Sequence, residues 1–223
     1  MNQWLFKIVI VTLIMSSGFL KSLPAQSLEE VFMHFSEQEM KIPLHIRQQM
    51  MDNKGNTMLN YDDYKLNIYD KRNMFLRVIT PTETIYEIAA WKIHNKKELL
   101  VALCETHCGI SCYSTIQFFL PANDWQLQPT ENYIPELTVE DIFNEKKLEK
   151  NYLTPYNVIK DFKIKTQFLL PQTGHDIIVV FTCLDELDKS EYQRIHKYLD
   201  GVMLDLIWEK ETFIKSKSYF SGN

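Results

Sequence analysis

Glycine is scarce in this chain, six residues of 223, and none of them builds the clustered loop that cradles a phosphate. There is also no G-x-S-x-G elbow for a nucleophilic serine, no H-E-x-x-H zinc helix and no EF-hand loop. Basic charge is in deficit, with 24 Lys and Arg against 29 Asp and Glu. The Lys96-Lys97 and Lys146-Lys147 pairs stand beside glutamates and read as solvated surface. Such a balance is poorly suited to displacing counterions from a phosphate backbone, which argues against a nucleic-acid partner.

Long apolar runs are almost absent as well. The one that exists, Trp4 to Leu20, is broken only by Lys7 and Ser16-Ser17-Gly18 and leads into Ser22-Leu23-Pro24-Ala25-Gln26. That is the layout of a secretory signal peptide, residues 1–25, with a small residue at the cut. The run is short for the roughly 20 apolar residues of a spanning helix. No cysteine follows the cut, so lipid attachment there is not indicated, and no transmembrane anchor is expected after signal removal. The expected location is therefore exported, either periplasmic or cell-surface and extracellular. Removal of 25 residues from 223 leaves 198, with 22 basic against 29 acidic side chains. The remaining stretch, 26–223, reads as a single α+β domain with sub-units at about 26–128 and 136–216.

The mature chain opens helically. Ser27 with Glu30 is a capping-box pattern, with Leu28, Val31, Phe32 and Phe35 on one face, and Pro43 suits the start of a second short helix carrying Leu44, Ile46, Met50 and Met51. After the Lys54-Gly55-Asn56 turn the period changes to alternation. Strands are expected at 64–69, 74–79, 84–93, 98–106 and 112–120, with connections too short to cross a sheet, so neighbours must run antiparallel. Pro121, Pro129 and Pro135 punctuate the middle, and Thr138 opens a short helix. Phe162 to Phe168 and Ile177 to Phe181 read as strands, the second apolar on both faces and therefore central. Asp188 with Glu191 caps a last helix whose stripe is Tyr192, Ile195, Leu199 and Val202, followed by a hairpin at 203–208 and 212–214. The expectation is an α+β fold: a mostly antiparallel β-sheet meander with N-terminal helices and one helix near the C-terminus.

Several stretches carry a family resemblance: Leu28-Glu-Glu-Val-Phe32 followed by Ile42-Pro43-Leu44, Tyr61-Asp-Asp-Tyr64, Ile116-Gln-Phe-Phe119 before Asp124-Trp125, and Leu184 to Tyr192 with Trp208 to Phe213. On these the chain resembles an uncharacterised family of secreted proteins from Bacteroidales-type bacteria, domain of unknown function 3256. The resemblance implies export and a compact α+β domain, and it implies no activity.

Chemistry concentrates in Cys104-Glu-Thr-His-Cys-Gly-Ile-Ser-Cys112. Cys104, His107, Cys108 and Cys112 match zinc in number but not in spacing, and the intervals are not those of a redox Cys-x-x-Cys. A clip fits better: in an oxidising compartment Cys108 and Cys112 close the tip of a hairpin, with Cys104 and Cys183 as alternative partners or as inert core thiols. Asp62-Asp63 reads as a turn rather than a metal pair. The irregular segments carry aromatics suited to anchoring a partner: Tyr113, Trp125 and Tyr133, with Tyr152 and Tyr156 beyond. The leading reading is a non-enzymatic exported module, without a cofactor, that binds an envelope protein or glycan through the open face of the sheet or the 121–135 segment. The competing reading is a small exported hydrolase or thiol enzyme assembled from residues distant in sequence.

Overall fold

The computed structural model describes residues 27–54, 60–93, 99–122, 126–144 and 164–221. The expected signal segment, Gly55-Asn56, Asn95-Lys96-Lys97, Trp125, Tyr152, Tyr156 and Phe162 lie outside them.

Helix α1 (Leu28–His34) starts on the capping box: the Ser27 hydroxyl accepts the Glu30 N–H at 3.2 Å, and the Glu30 carboxylate accepts the Ser27 N–H at 3.0 Å. Helix α2 (Leu44–Asp52) follows directly on Pro43, whose ring leaves no N–H to satisfy. Arg47 of α2 ties the pair together. It is only 2% exposed, and its Nη1 donates to the carbonyls of Phe32, Met33 and Phe35 at 2.8, 3.2 and 2.7 Å. Those carbonyls belong to the last turn of α1 and to its C-cap residue Phe35, where they have no helical partner and where a cation also offsets the dipole.

Seven strands then pair with their sequence neighbours, all antiparallel: β1 (Asn60–Tyr61), β2 (Tyr64–Asp70), β3 (Phe75–Ile79), β4 (Ile85–Lys92), β5 (Leu99–Cys108), β6 (Cys112–Pro121) and β7 (Leu127–Pro129). Asp62 and Asp63, at φ 49° and 67°, make the two-residue turn between β1 and β2. A second, four-stranded antiparallel sheet holds β8 (Thr166–Leu169), β9 (Ile177–Phe181), β10 (Met203–Glu209) and β11 (Thr212–Lys215) in the order β11-β10-β9-β8. Helix α3 (Lys189–His196), capped by Asp188, connects β9 to β10.

Alternation along the large sheet feeds two cores. Leu76, Val78, Ile88, Val101, Leu103 and Phe119 pack with Leu28, Phe32, Ile46 and Met50 from the helices. Phe75, Ala89, Trp91, Leu100, Ala102 and Phe118 face Ile177, Val179, Leu204, Leu206 and Phe213 of the small sheet. The large sheet is thus the middle of three layers, which explains why β4 and β5 are apolar almost throughout. A register shift between Leu66 and Ile68 re-phases β2, so that Leu66 and Tyr69 join the helix-side core and Ile68 the other.

One expectation needs correcting. The stripe through Leu199 and Val202 does not belong to a continuous helix, because α3 ends at His196. Tyr198 and Asp200 instead pair with the 142–144 segment: Asn144 N–H donates to the Tyr198 carbonyl at 2.9 Å and Asp200 N–H to the Ile142 carbonyl at 2.8 Å. Backbone groups engaged there cannot also serve a helix. Among the described residues no helix is long and apolar enough to cross a membrane.

Candidate functional site

Two polar clusters occupy opposite faces of β4, β5 and β6. The first lies between the sheets. Arg77 and Glu87 are cross-strand partners, and the guanidinium holds Glu87 Oε1 through Nε at 2.7 Å and through Nη2. Glu87 Oε2 accepts the Leu170 N–H at 3.1 Å. Beside it Cys104, in register with Glu87, points its Sγ at the Phe168 carbonyl, 3.6 Å away, while Ser114 Oγ accepts the Phe168 N–H at 3.1 Å. The outward edge of β8 is therefore met by side chains of the large sheet, which blunts an edge strand without adding a further one.

This seam also settles the thiols. Cys104 and Cys183 are both buried and unbonded to each other. Burial, with the Glu87 carboxylate adding to it, pushes the Cys104 thiol up to about 12, and burial raises Cys183 as well. Thiolate nucleophiles need the opposite surroundings.

The second cluster lies on the helix-side face, at the far end of the β5–β6 hairpin. Behind it, Cys108 and Cys112 lie on the face that strand alternation shares with Cys104, as cross-strand partners joined by a disulfide, with Cα atoms 4.0 Å apart. The last β4–β5 pair is Ile85 with Thr106, so His107, Cys108, Cys112 and Tyr113 project beyond β4. Ile110 at the tip is 93% exposed. On the helix-side face Glu105 Oε1 accepts the Tyr86 hydroxyl at 3.0 Å and the Lys41 ammonium at 3.3 Å, and His107 Nε2 lies 3.1 Å from it. His107 Nδ1 is 3.3 Å from Thr84 Oγ1. Nε2 donating to Glu105 and Nδ1 accepting from Thr84 satisfies both contacts. The imidazole also stacks on Tyr113, centroids 5.4 Å apart at 31°. Tyr113 is 47% exposed, and Thr115 and Gln117 follow it as exposed residues on the same face of β6.

The order Glu105, His107, Thr84 is that of a carboxylate–imidazole–hydroxyl relay. Thr84 is only 7% exposed, however, and its Oγ1 is 3.3 Å from that of Thr82, which in turn is 3.0 Å from that of Thr80. A hydroxyl enclosed in such a chain braces a turn and is withheld from an incoming carbonyl. Nor do the zinc candidates converge. Cys104 faces the small sheet, His107 faces the other way, and the sulfurs of Cys108 and Cys112 are bonded to each other. Among the described residues no group of three or more His, Cys, Asp or Glu is placed to hold a metal. Of the remaining aromatics, Tyr133 is partly buried against Phe118 and Trp208, centroids 5.3 and 6.3 Å away, and so serves the core rather than the surface. Trp125 lies outside the described residues.

The fold has a solved counterpart. The chain is similar to a domain of an uncharacterised protein from Porphyromonas gingivalis W83, at a TM-score of 0.68 and 18% identity, over 85% of this chain and 97% of that one. At that identity the likeness is one of fold. It agrees with the Bacteroidales-type, uncharacterised grouping that the sequence resembles. No family model and no curated protein matches the sequence.

Proposed function

We propose that this chain is an exported binding module of the bacterial envelope, belonging with the secreted Bacteroidales family that its sequence resembles, and that it engages its partner through the projecting end of the β5–β6 hairpin. The observation that carries the reading is the way Tyr113 is presented: nearly half exposed, backed by His107 and set beside a disulfide across the two strands. A side chain fixed before binding gives up little freedom on contact, which favours recognition. The apolar start of the chain and a disulfide suited to an oxidising compartment support export.

The test uses residues 26–223 and washed envelope fragments from a Bacteroidales bacterium. The protein should co-sediment with the fragments, and the double variant Tyr113→Ala/His107→Ala, checked for an unchanged melting curve, should remain in the supernatant. Equal sedimentation of the two proteins, or none by the wild type, overturns the reading. Expression with the native first 25 residues should deliver a periplasmic or external product that begins at Gln26.

A further inference from the structure

We infer that the ledge formed by the exposed Tyr113, Lys41, Thr115 and Gln117 with the partly covered His107 and Glu105 binds a neutral oligosaccharide. This rests on the binding reading above and names the ligand class for the same surface.

Charge is the first selector. Glu105 Oε1 carries the Tyr86, Lys41 and His107 contacts. The Glu105 carboxylate is mostly covered, its side chain 18% exposed, beside a Lys41 side chain that is 69% exposed. An anionic ligand would meet that carboxylate, and a cationic one would meet Lys41. What the ledge suits is an uncharged group that donates a hydroxyl or amide hydrogen to the Glu105 carboxylate and accepts from the Lys41 ammonium.

Shape and polarity select further. The Tyr113 ring lies beside the His107 imidazole, centroids 5.4 Å apart and planes tilted by 31°, while 47% of the residue stays exposed. An aromatic ring fixed this way offers an apolar platform with a polar tip, matching a pyranose that has C–H groups on one face and hydroxyls at its rim. Thr115 and Gln117 continue the row at two-residue intervals of about 7 Å, each offering donors and acceptors. No aliphatic side chain interrupts this row, the exposed Ile110 standing apart from it at the hairpin tip. A chain of neutral sugars fits these features together.

Two soluble probes test it: β-1,4-linked N-acetylglucosamine tetramer and maltotetraose, titrated into the mature chain while the Tyr113 ring and His107 imidazole are followed by NMR. At least one series should shift both sets of resonances saturably and should compete with envelope sedimentation. Tyr113→Ala should weaken that affinity about tenfold. Thr115→Glu, at an exposed position, should abolish it while leaving the melting curve unchanged. If envelope binding is intact but neither sugar perturbs Tyr113, or if protease treatment of the fragments removes binding, the partner is a protein and the sugar assignment fails alone. If envelope binding itself is absent, the binding reading fails with it.

Discussion

The Glu87 carboxylate, on the central sheet, accepts the Leu170 backbone N–H at 3.1 Å, just past the end of the first strand of the small sheet. The same carboxylate is held by Arg77, so one buried acid both closes an ion pair within its own sheet and joins the two sheets. Removing it leaves the Leu170 donor unpaired in the interior and strands a guanidinium that is 30% exposed. Glu87→Ala should therefore lower stability by about 2–3 kcal/mol, less than a fully buried pair because Arg77 can regain water. Glu87→Gln, which can still accept from Leu170, should cost roughly half as much. Urea unfolding decides the point, and a loss below about 0.5 kcal/mol for the alanine variant would show that the sheets do not depend on this link.

Acid should act on Glu29. Burial opposes its ionisation, but hydrogen bonds from Lys54 at 2.8 Å and Tyr69 at 2.5 Å outweigh that and hold its carboxyl at about 2, against an ordinary 4.5. A depressed folded value means that the stabilisation is present above pH 4.5 and fades as pH falls from there toward 2. Allowing for solvent around Lys54, the contribution is on the order of 2 kcal/mol. Chemical denaturation at pH 6 and pH 3 should show Glu29→Gln losing less stability between the two than the wild type. Parallel curves would refute the assignment.

Thiol chemistry gives a third expectation. Under native, non-reducing conditions iodoacetamide should label none of the four cysteines. Unfolding without reductant should expose two of them, Cys104 and Cys183. Replacing Cys108 and Cys112 together by serine should cost about 2 kcal/mol, the loop-entropy value for so short a closure. Rapid native labelling of Cys104 would contradict its burial between the sheets.

Gly201 supplies a fourth. A Cβ there would lie 2.1 Å from the Tyr219 backbone nitrogen, a contact that backbone cannot yield cheaply. Gly201→Ala should displace the chain around Tyr219, break the 2.9 Å bond from its hydroxyl to Asp205 and cost about 2 kcal/mol or more. Limited proteolysis should release the C-terminal residues from the variant before the wild type, and equal cleavage rates would count against the prediction.

Much of the architecture is legible in the residues. Alternation and turn chemistry from Tyr64 to Leu120 place five strands of the meander close to their observed bounds, and the two-sided apolar run Ile177–Phe181 marks an interior strand. The cross-links between layers are harder to read. Arg47 looks like any polar position on a short helix, and nothing local says that it will reach back to three carbonyls of α1. Glu87 is an acid in an apolar strand, but its partners Arg77 and Leu170 come from other elements. Of the ledge residues, the sequence marks His107 only as a candidate zinc ligand and Tyr113 as an aromatic anchor. Its backing by His107 and the convergence of Lys41 and Tyr86 on Glu105 require the register of three strands and a loop.

The re-phasing of β2 at Asn67 bears on how related chains can diverge. Deleting that one residue would restore a plain two-residue rhythm, with Leu66 still opposite Val78, Ile68 still opposite Arg77 and every side chain on its present side. Tyr69 would stay with Glu29 among the helices and Ile68 in the seam between the sheets. Relatives can thus lose the supernumerary residue and keep this layering, even where every letter around it has changed.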